Sequence, residues 1–249
     1  NLRIASVLGR IGLAWSIAAV LYLNFGVKTR AAIAVAVLAG YGALSALVAA
    51  PDAAGAGPLT FEGNLAGYID RQFLPGKLIY GSFDPEGLLS TVPAVVTAML
   101  GMFTGEFVRR SDIRGGRKTL WMAAAAAALL AAGLAFSGVL PVNKKLWSST
   151  FVCVVGAYSL GMFALFYYLI DVRCWRRWTL FFLVVGLNSI TIYLAQRIVG
   201  FGRISDFFLG GIASKCPEAV AAVISSAGYV AVCWLFLYFL YRKNVFLKV

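Results

Sequence analysis

The chain of 249 residues contains no histidine and only ten acidic side chains. The first absence removes the side chain most often used as a general base near neutral pH. It also removes every histidine-containing metal site. The scarcity of acids confines carboxylate chemistry to a few positions. Cysteine is sparse as well: Cys153, Cys174, Cys216 and Cys233 are scattered, with no C-x-x-C pair. That spacing predicts neither a zinc site nor a disulfide framework, so no metal is expected. No N-x-[ST] sequon, phosphate-binding glycine loop, G-x-S-x-G or H-E-x-x-H occurs.

What the chain has in excess is hydrocarbon. It is 61% hydrophobic and only 13% charged, with a mean hydropathy of +0.85. A soluble domain is nearer half apolar and a quarter charged. The composition predicts an all-α, polytopic integral membrane bundle in a lipid bilayer, because open strands cannot cross hydrocarbon. Seven stretches reach spanning length, over about 4–25, 31–50, 87–108, 119–140, 147–170, 178–199 and 219–241. The fourth is alanine-rich. In the third, Gly101 and Gly105 form a G-x-x-x-G, which reads as a helix-packing face.

Lys and Arg number 22 against those ten acids, a formal charge of +12. No basic helix with interleaved aromatics lies outside the apolar stretches, so nucleic acid is not an expected partner. The better account is orientation. Loop 26–30 carries Lys28 and Arg30; loop 109–118 carries Arg109, Arg110, Arg114, Arg117 and Lys118; loop 171–177 carries Arg173, Arg176 and Arg177; the tail carries Arg242, Lys243 and Lys248. These segments alternate so as to share one side, which the positive-inside rule makes cytoplasmic. The C-terminus is then expected inside and Asn1 outside. The chain opens on Asn1 without a signal peptide, and its first methionine is Met99. The expectation is one transmembrane domain over 1–249, the C-terminal part of a longer protein. The other side carries loops 51–86, 141–146 and 200–218. Within 51–86, the stretch GNLAGYIDRQFLPGK predicts a short interfacial helix between prolines.

The polar residues of this outer side each admit two readings. In GSFDPEGLLST, Asp84 is a good N-cap for the third span, Pro85 suits a first turn and Glu86 suits the helix dipole. Alternatively, one of the two acids serves a site, and Glu86 has the greater freedom to do so. In PVNKKLWSST, Asn143, Lys144 and Lys145 make a polar turn and Trp147 an interfacial anchor; with the two acids they also make a polar mouth suited to a sugar. Asn188 falls in the sixth stretch, with Ser189, Tyr193 and Gln196 along one helix face. Such groups face either helix neighbours or a cavity. Arg10, inside the first span, needs an ion pair, a path to water or a ligand. Asp70 and Arg71 read as a local ion pair. The arginines of loop 109–118 set orientation or meet phosphates.

Read together, these stretches resemble the heparan-α-glucosaminide N-acetyltransferase family. LRIASVLGRI is similar to that family's R-I-x-G-V-L-Q-R-I, with Gly9 in place of Gln. AGYIDR, FDPEGLLSTVPAV, PVNKKLWSSTFV, GLNSITIY and YRKNVFLKV follow it in order and spacing. The resemblance implies a transmembrane acyltransferase that takes acetyl-CoA from the cytoplasmic side and acetylates the amine of a glucosamine-type sugar or glycan on the other. It implies that the family's acetyl-accepting histidine lies upstream of this chain, while Gln196 stands near a position where some members have His. The expected roles follow by position. Glu86 or Asp84 orients or deprotonates the amine. Asn143, Lys144, Lys145, Trp147 and Arg10 bind the sugar, and Asn188, Tyr193 and Gln196 line the acetyl path. Arg109, Arg110 and Arg114 attract the phosphates of coenzyme A. A homodimer is among the expected assemblies. The alternatives are a sugar or amino-sugar transporter of the same fold and an envelope scaffold.

Overall fold

The computed structural model describes residues 3–247; Asn1 and Lys248, which entered the orientation argument, lie outside them. The described residues form ten α-helices and no strand. Isolated bridges join Arg3 to Gly76 and Ala49 to Asn64. The chain divides into two compact units, Asn1–Arg173 and Cys174–Val249.

The first unit holds α1 (Val7–Asn24), α2 (Val27–Leu47), α3 (Leu65–Phe73), α4 (Leu88–Arg109), α5 (Gly115–Ala135) and α6 (Ser149–Tyr167). All but α3 are long and apolar enough to cross a membrane. Local chemistry starts several of them. Ser6, Asn64 and Ser148 accept the N–H groups of Gly9, Gly67 and Phe151, each satisfying an orphan donor of a first helical turn. At the far end of α4 the buried Lys118 ammonium donates to the carbonyl of Val108 at 2.7 Å, so α5 closes the C-terminus of its neighbour. Small residues build the core. Ala14, Ala18 and Ala34 pack against Val95, Val96 and Met99 of α4 and Val152 of α6, letting the backbones approach closely.

Four contacts fix the sense of these helices. Arg10 near the start of α1 reaches Ser90 near the start of α4. Arg30 near the start of α2 pairs with Glu106 near the end of α4 at 2.8 Å. Tyr41 towards the end of α2 donates to Leu146, just before α6. The Lys118 contact joins the start of α5 to the end of α4. Loops 26–30 and 109–118 therefore share one basic end of the unit. Segments 51–86 and 141–148 share the other. After α6 a π-helical turn, Tyr168–Val172, brings Val172 and Tyr167 against Gly115 at the basic end.

The second unit holds α7 (Thr179–Leu187), α8 (Ser189–Ile198), α9 (Phe201–Ala213) and α10 (Glu218–Arg242). The sixth predicted span is not one straight helix. It breaks at Asn188, and α7 and α8 meet at 69°. The predicted loop 200–218 contains α9, which packs along α10. Gly228 of α10 gives α9 its close approach, because a side chain there would enter the space of Leu209 and Ser205. The described residues thus hold six helices of spanning length, or seven spans if the bent pair crosses once.

Candidate functional site

Segment 51–86 turns the acidic end of the first unit into a polar cluster. Arg3 clasps Asp84 with Nε on Oδ2 at 2.8 Å and Nη2 on Oδ1 at 2.7 Å, and the same Nη2 donates to Glu86. The Asp84 side chain is fully enclosed, whereas that of Glu86 is 16% exposed and that of Arg3 31%. Asp84 also accepts the N–H of Glu86 at 3.0 Å and of Ile79 at 3.2 Å. Burial pushes the Asp84 carboxyl up, but the Arg3 bonds and these two amides outweigh it and hold it below its ordinary value. The carboxylates in turn hold the Arg3 guanidinium more firmly protonated.

Two sequence expectations are corrected here. Asp84 does not cap α4. It caps the turn before it, in which Pro85 follows Asp84 and the Gly87 N–H returns to the Asp84 carbonyl at 2.9 Å. The N-cap position of α4 is Gly87, and the carboxylate that serves the helix start comes from α3. Asp70 accepts the N–H of Leu88 at 2.9 Å and that of Asp84 at 3.2 Å. Asp70 is therefore no ion-pair partner of Arg71. Arg71 instead pairs with Asp52 at 2.6 Å and donates to the carbonyl of Ser82, pinning the loop that carries Phe83. Burial raises the Asp70 carboxyl above its usual range, and the two backbone amides only partly offset this.

Arg10 lies beside this cluster, at the first turn of α4. It is buried. Its Nη2 donates to the Ser90 carbonyl at 2.6 Å, its guanidinium carbon lies 4.3 Å from the centroid of Trp147, and its Nε has no partner. Neither an ion pair nor a path to water accounts for it: a carbonyl and an aromatic face hold it. Pro93 one turn on disturbs the backbone bonding of this segment, and a carbonyl has a second lone pair to offer. Trp147 is itself unusual, with φ of 52°, a region bulky side chains rarely enter. It is kept there by its indole N–H on Thr97 at 3.2 Å, by Phe151 edge-on, and by Tyr41 on the preceding carbonyl.

The remaining candidates sort by place. Asn143 folds the turn, its Oδ1 accepting the N–H of Lys145 at 2.8 Å. Lys145 sets its ammonium 4.5 Å from the ring centroid of Tyr80, joining this turn to segment 51–86. Lys144 is exposed. Arg109, Arg110 and Arg114 lie at the opposite, basic end, all exposed, with Arg110 paired to Asp112 at 2.6 Å. Asn188, Tyr193 and Gln196 belong to the second unit. Asn188 is buried at the bend, accepting from Thr191 at 3.2 Å while its Nδ2 has no partner; Tyr193 and Gln196 are exposed on α8. The structure thus brings Asp84, Glu86, Arg10, Asn143, Lys145 and Trp147 to one end of the first unit. It adds Arg3, which stood unremarked in LRIASVLGRI, and it moves Asp70 from the expected pair with Arg71 to the start of α4. Among the described residues no cluster of three metal-ligating side chains occurs.

No protein-family profile matches the chain. Two curated proteins do. Human heparan-alpha-glucosaminide N-acetyltransferase is 28% identical over 208 residues, and its mouse counterpart 27% over 205; each match covers 75% of this chain. The chain spans about 30% of the length of these relatives. Both are named as acetyltransferases, which gives the transport reading no support. Over three quarters of its length the chain is therefore similar to heparan-alpha-glucosaminide N-acetyltransferases.

Proposed function

We propose that the chain is part of a transmembrane acetyltransferase that moves an acetyl group from acetyl-CoA to the amine of a glucosamine-type sugar. The observation that carries this reading is Arg10: a buried arginine with an unpartnered Nε, held against Trp147 beside two carboxylates. An enclosed donor of this kind suits a bound hydroxyl or carbonyl oxygen. The names of the matched relatives supply the reaction class.

Amide formation from a thioester needs a neutral amine. The acceptor arrives as an ammonium, and one carboxylate must attract it and take its proton. Glu86 fits that task better than Asp84, since it is the more exposed of the two and is bonded to Arg3 through a single nitrogen. Asp84, enclosed and doubly bonded to Arg3, is a positioning residue. Arg10 covers one face of the Trp147 ring, so the tryptophan supports the arginine rather than offering both faces to a sugar. Asn143, Lys144 and Lys145 border the acceptor mouth. Asn188, Tyr193 and Gln196 line the acetyl path within the second unit. Arg109 and Arg114 offer the donor's phosphates two exposed guanidinium groups without a carboxylate partner among the described residues. The positive-inside rule supports reading the acidic end of the first unit as extracytoplasmic, and the reading takes the membrane to be a bacterial-type inner membrane with the C-terminus inside.

The test is transfer of labelled acetyl from acetyl-CoA to glucosamine in membranes carrying the protein. Glu86→Gln is expected to lower turnover about 10²- to 10⁴-fold with the protein still present in the membrane. Full activity in Glu86→Gln and in Arg10→Met would sink the assignment. Uptake of glucosamine without an acetylated product would replace the enzyme by a transporter.

A further inference from the structure

The G-x-x-x-G of α4 does not pack against a helix. A side-chain carbon added at Gly101 or Gly105 would meet nothing within 4 Å. The space belongs to a cleft of about 830 Å³ between α4 and the α5–α6 hairpin, walled by Phe103, Phe107, Trp121 and Phe163. The cleft narrows where Leu100 of α4 lies against Gly156 of α6, at 2.9 Å from where a side-chain carbon would stand. All three helices are of spanning type, so the cleft lies at hydrocarbon depth. Its hydroxyls are few, and that of Thr104 is already spent on the Leu100 carbonyl at 2.8 Å. Water has little to bond to there, whereas a hydrocarbon chain fits.

The charge at its basic end indicates which hydrocarbon. Phe107 is in the last turn of α4, and Trp121 lies four residues beyond Arg117 on α5, so the arginine and the indole share a helix face. Lys118 is committed to the Val108 carbonyl and Arg110 to Asp112. Arg114 and Arg117 are exposed and have no carboxylate partner among the described residues. Unpaired arginines at the membrane-surface end of an apolar cleft are complementary to an anionic lipid. We propose that the cleft binds one acyl chain of an anionic phospholipid, whose phosphate is held by Arg114 and Arg117. The apolar cleft is separate from the proposed acetyl-transfer site, but Arg114 is shared with the coenzyme A contact proposed above, so the lipid phosphate and the coenzyme A phosphates compete for it.

The test is native mass spectrometry of the detergent-purified protein with added phosphatidylglycerol or phosphatidylcholine. The intact protein is expected to retain phosphatidylglycerol about tenfold better than phosphatidylcholine. Arg114→Gln with Arg117→Gln should abolish that preference. Gly101→Leu with Gly105→Leu should fill the cleft and lose both lipids. Ser159→Leu, from the opposite wall and free of any change to a glycine, should do the same, with unfolding temperature as the check on integrity. Undiminished retention in both cleft-filling variants would overturn the proposal. So would conversion of a dimer to a monomer by Gly101→Leu with lipid retention unchanged, which would make the face an interface between copies. Displacement of phosphatidylglycerol by coenzyme A would assign the arginines to the nucleotide and overturn the headgroup assignment.

Discussion

The Asp70 carboxylate lies against Gly87 so closely that a side-chain carbon on Gly87 would occupy its position. One oxygen takes the N–H of Leu88 and the other that of Asp84. The glycine is required here by a neighbour and not by a special backbone angle. Gly87→Ala must push the carboxylate off the amides it serves. The expected loss is about 1–3 kcal/mol from crowding alone, read as a lowered unfolding temperature in detergent. An unchanged temperature would show that α3 can yield at no cost.

The two buried acids give opposite pH dependences. Asp84 is held below its ordinary value, so its contribution is present above the unfolded-state value and is lost as pH falls through its native one. Asp70 is held above its ordinary value, so it favours the fold at low pH and loses that contribution as pH rises through its native value. On acidification Asp70 should take its proton first, and the acid loss from Asp84 should follow at lower pH. Asp84→Asn is expected to flatten the acid limb of a stability–pH curve. A limb unchanged in steepness would remove Asp84 as its source.

Arg3 and Asp84 are 81 residues apart in sequence and share two hydrogen bonds. Removing only the arginine leaves an enclosed carboxylate with two backbone amides. Arg3→Met should therefore cost about 1–3 kcal/mol. Adding Asp84→Asn to Arg3→Met should recover part of that loss, giving a coupling energy in a double-mutant cycle. Additive losses would mean that the pair does not act as a unit.

The same substitution should change sign between two glycines. Gly101→Ala enters open space and improves helix propensity, so a gain of about 0.5–1 kcal/mol is expected. Gly228→Ala runs into Leu209 and Ser205 and should cost about 1–3 kcal/mol. Thermal unfolding of each variant in the same detergent decides both.

Much of this was legible in the sequence, for identifiable reasons. Uninterrupted hydrophobicity marks a spanning helix whatever it packs against, which is why α1, α2, α4, α5, α6 and α10 fall near their predicted stretches. Asn188 looked like a polar residue within a span because a bend of 69° leaves no mark in hydropathy. The α9 helix was hidden because its 13 residues are too short to cross a bilayer. Within the candidate site, Asp84, Glu86, Arg10 and Trp147 stood out by residue type. Their partners did not. Adjacency suggested Asp70 with Arg71, yet successive helical residues do not face each other, and Arg71 reaches Asp52 instead. Nothing local to Asp84 could name Arg3.

The Asp70 carboxylate also couples two events in time. The amides of Asp84 and Leu88 hang on opposite oxygens of one side chain. Neither can open to solvent deuterium along that route without α3 moving, so both should exchange together at a single slow rate. That common rate would report how often the acidic end of the first unit comes apart.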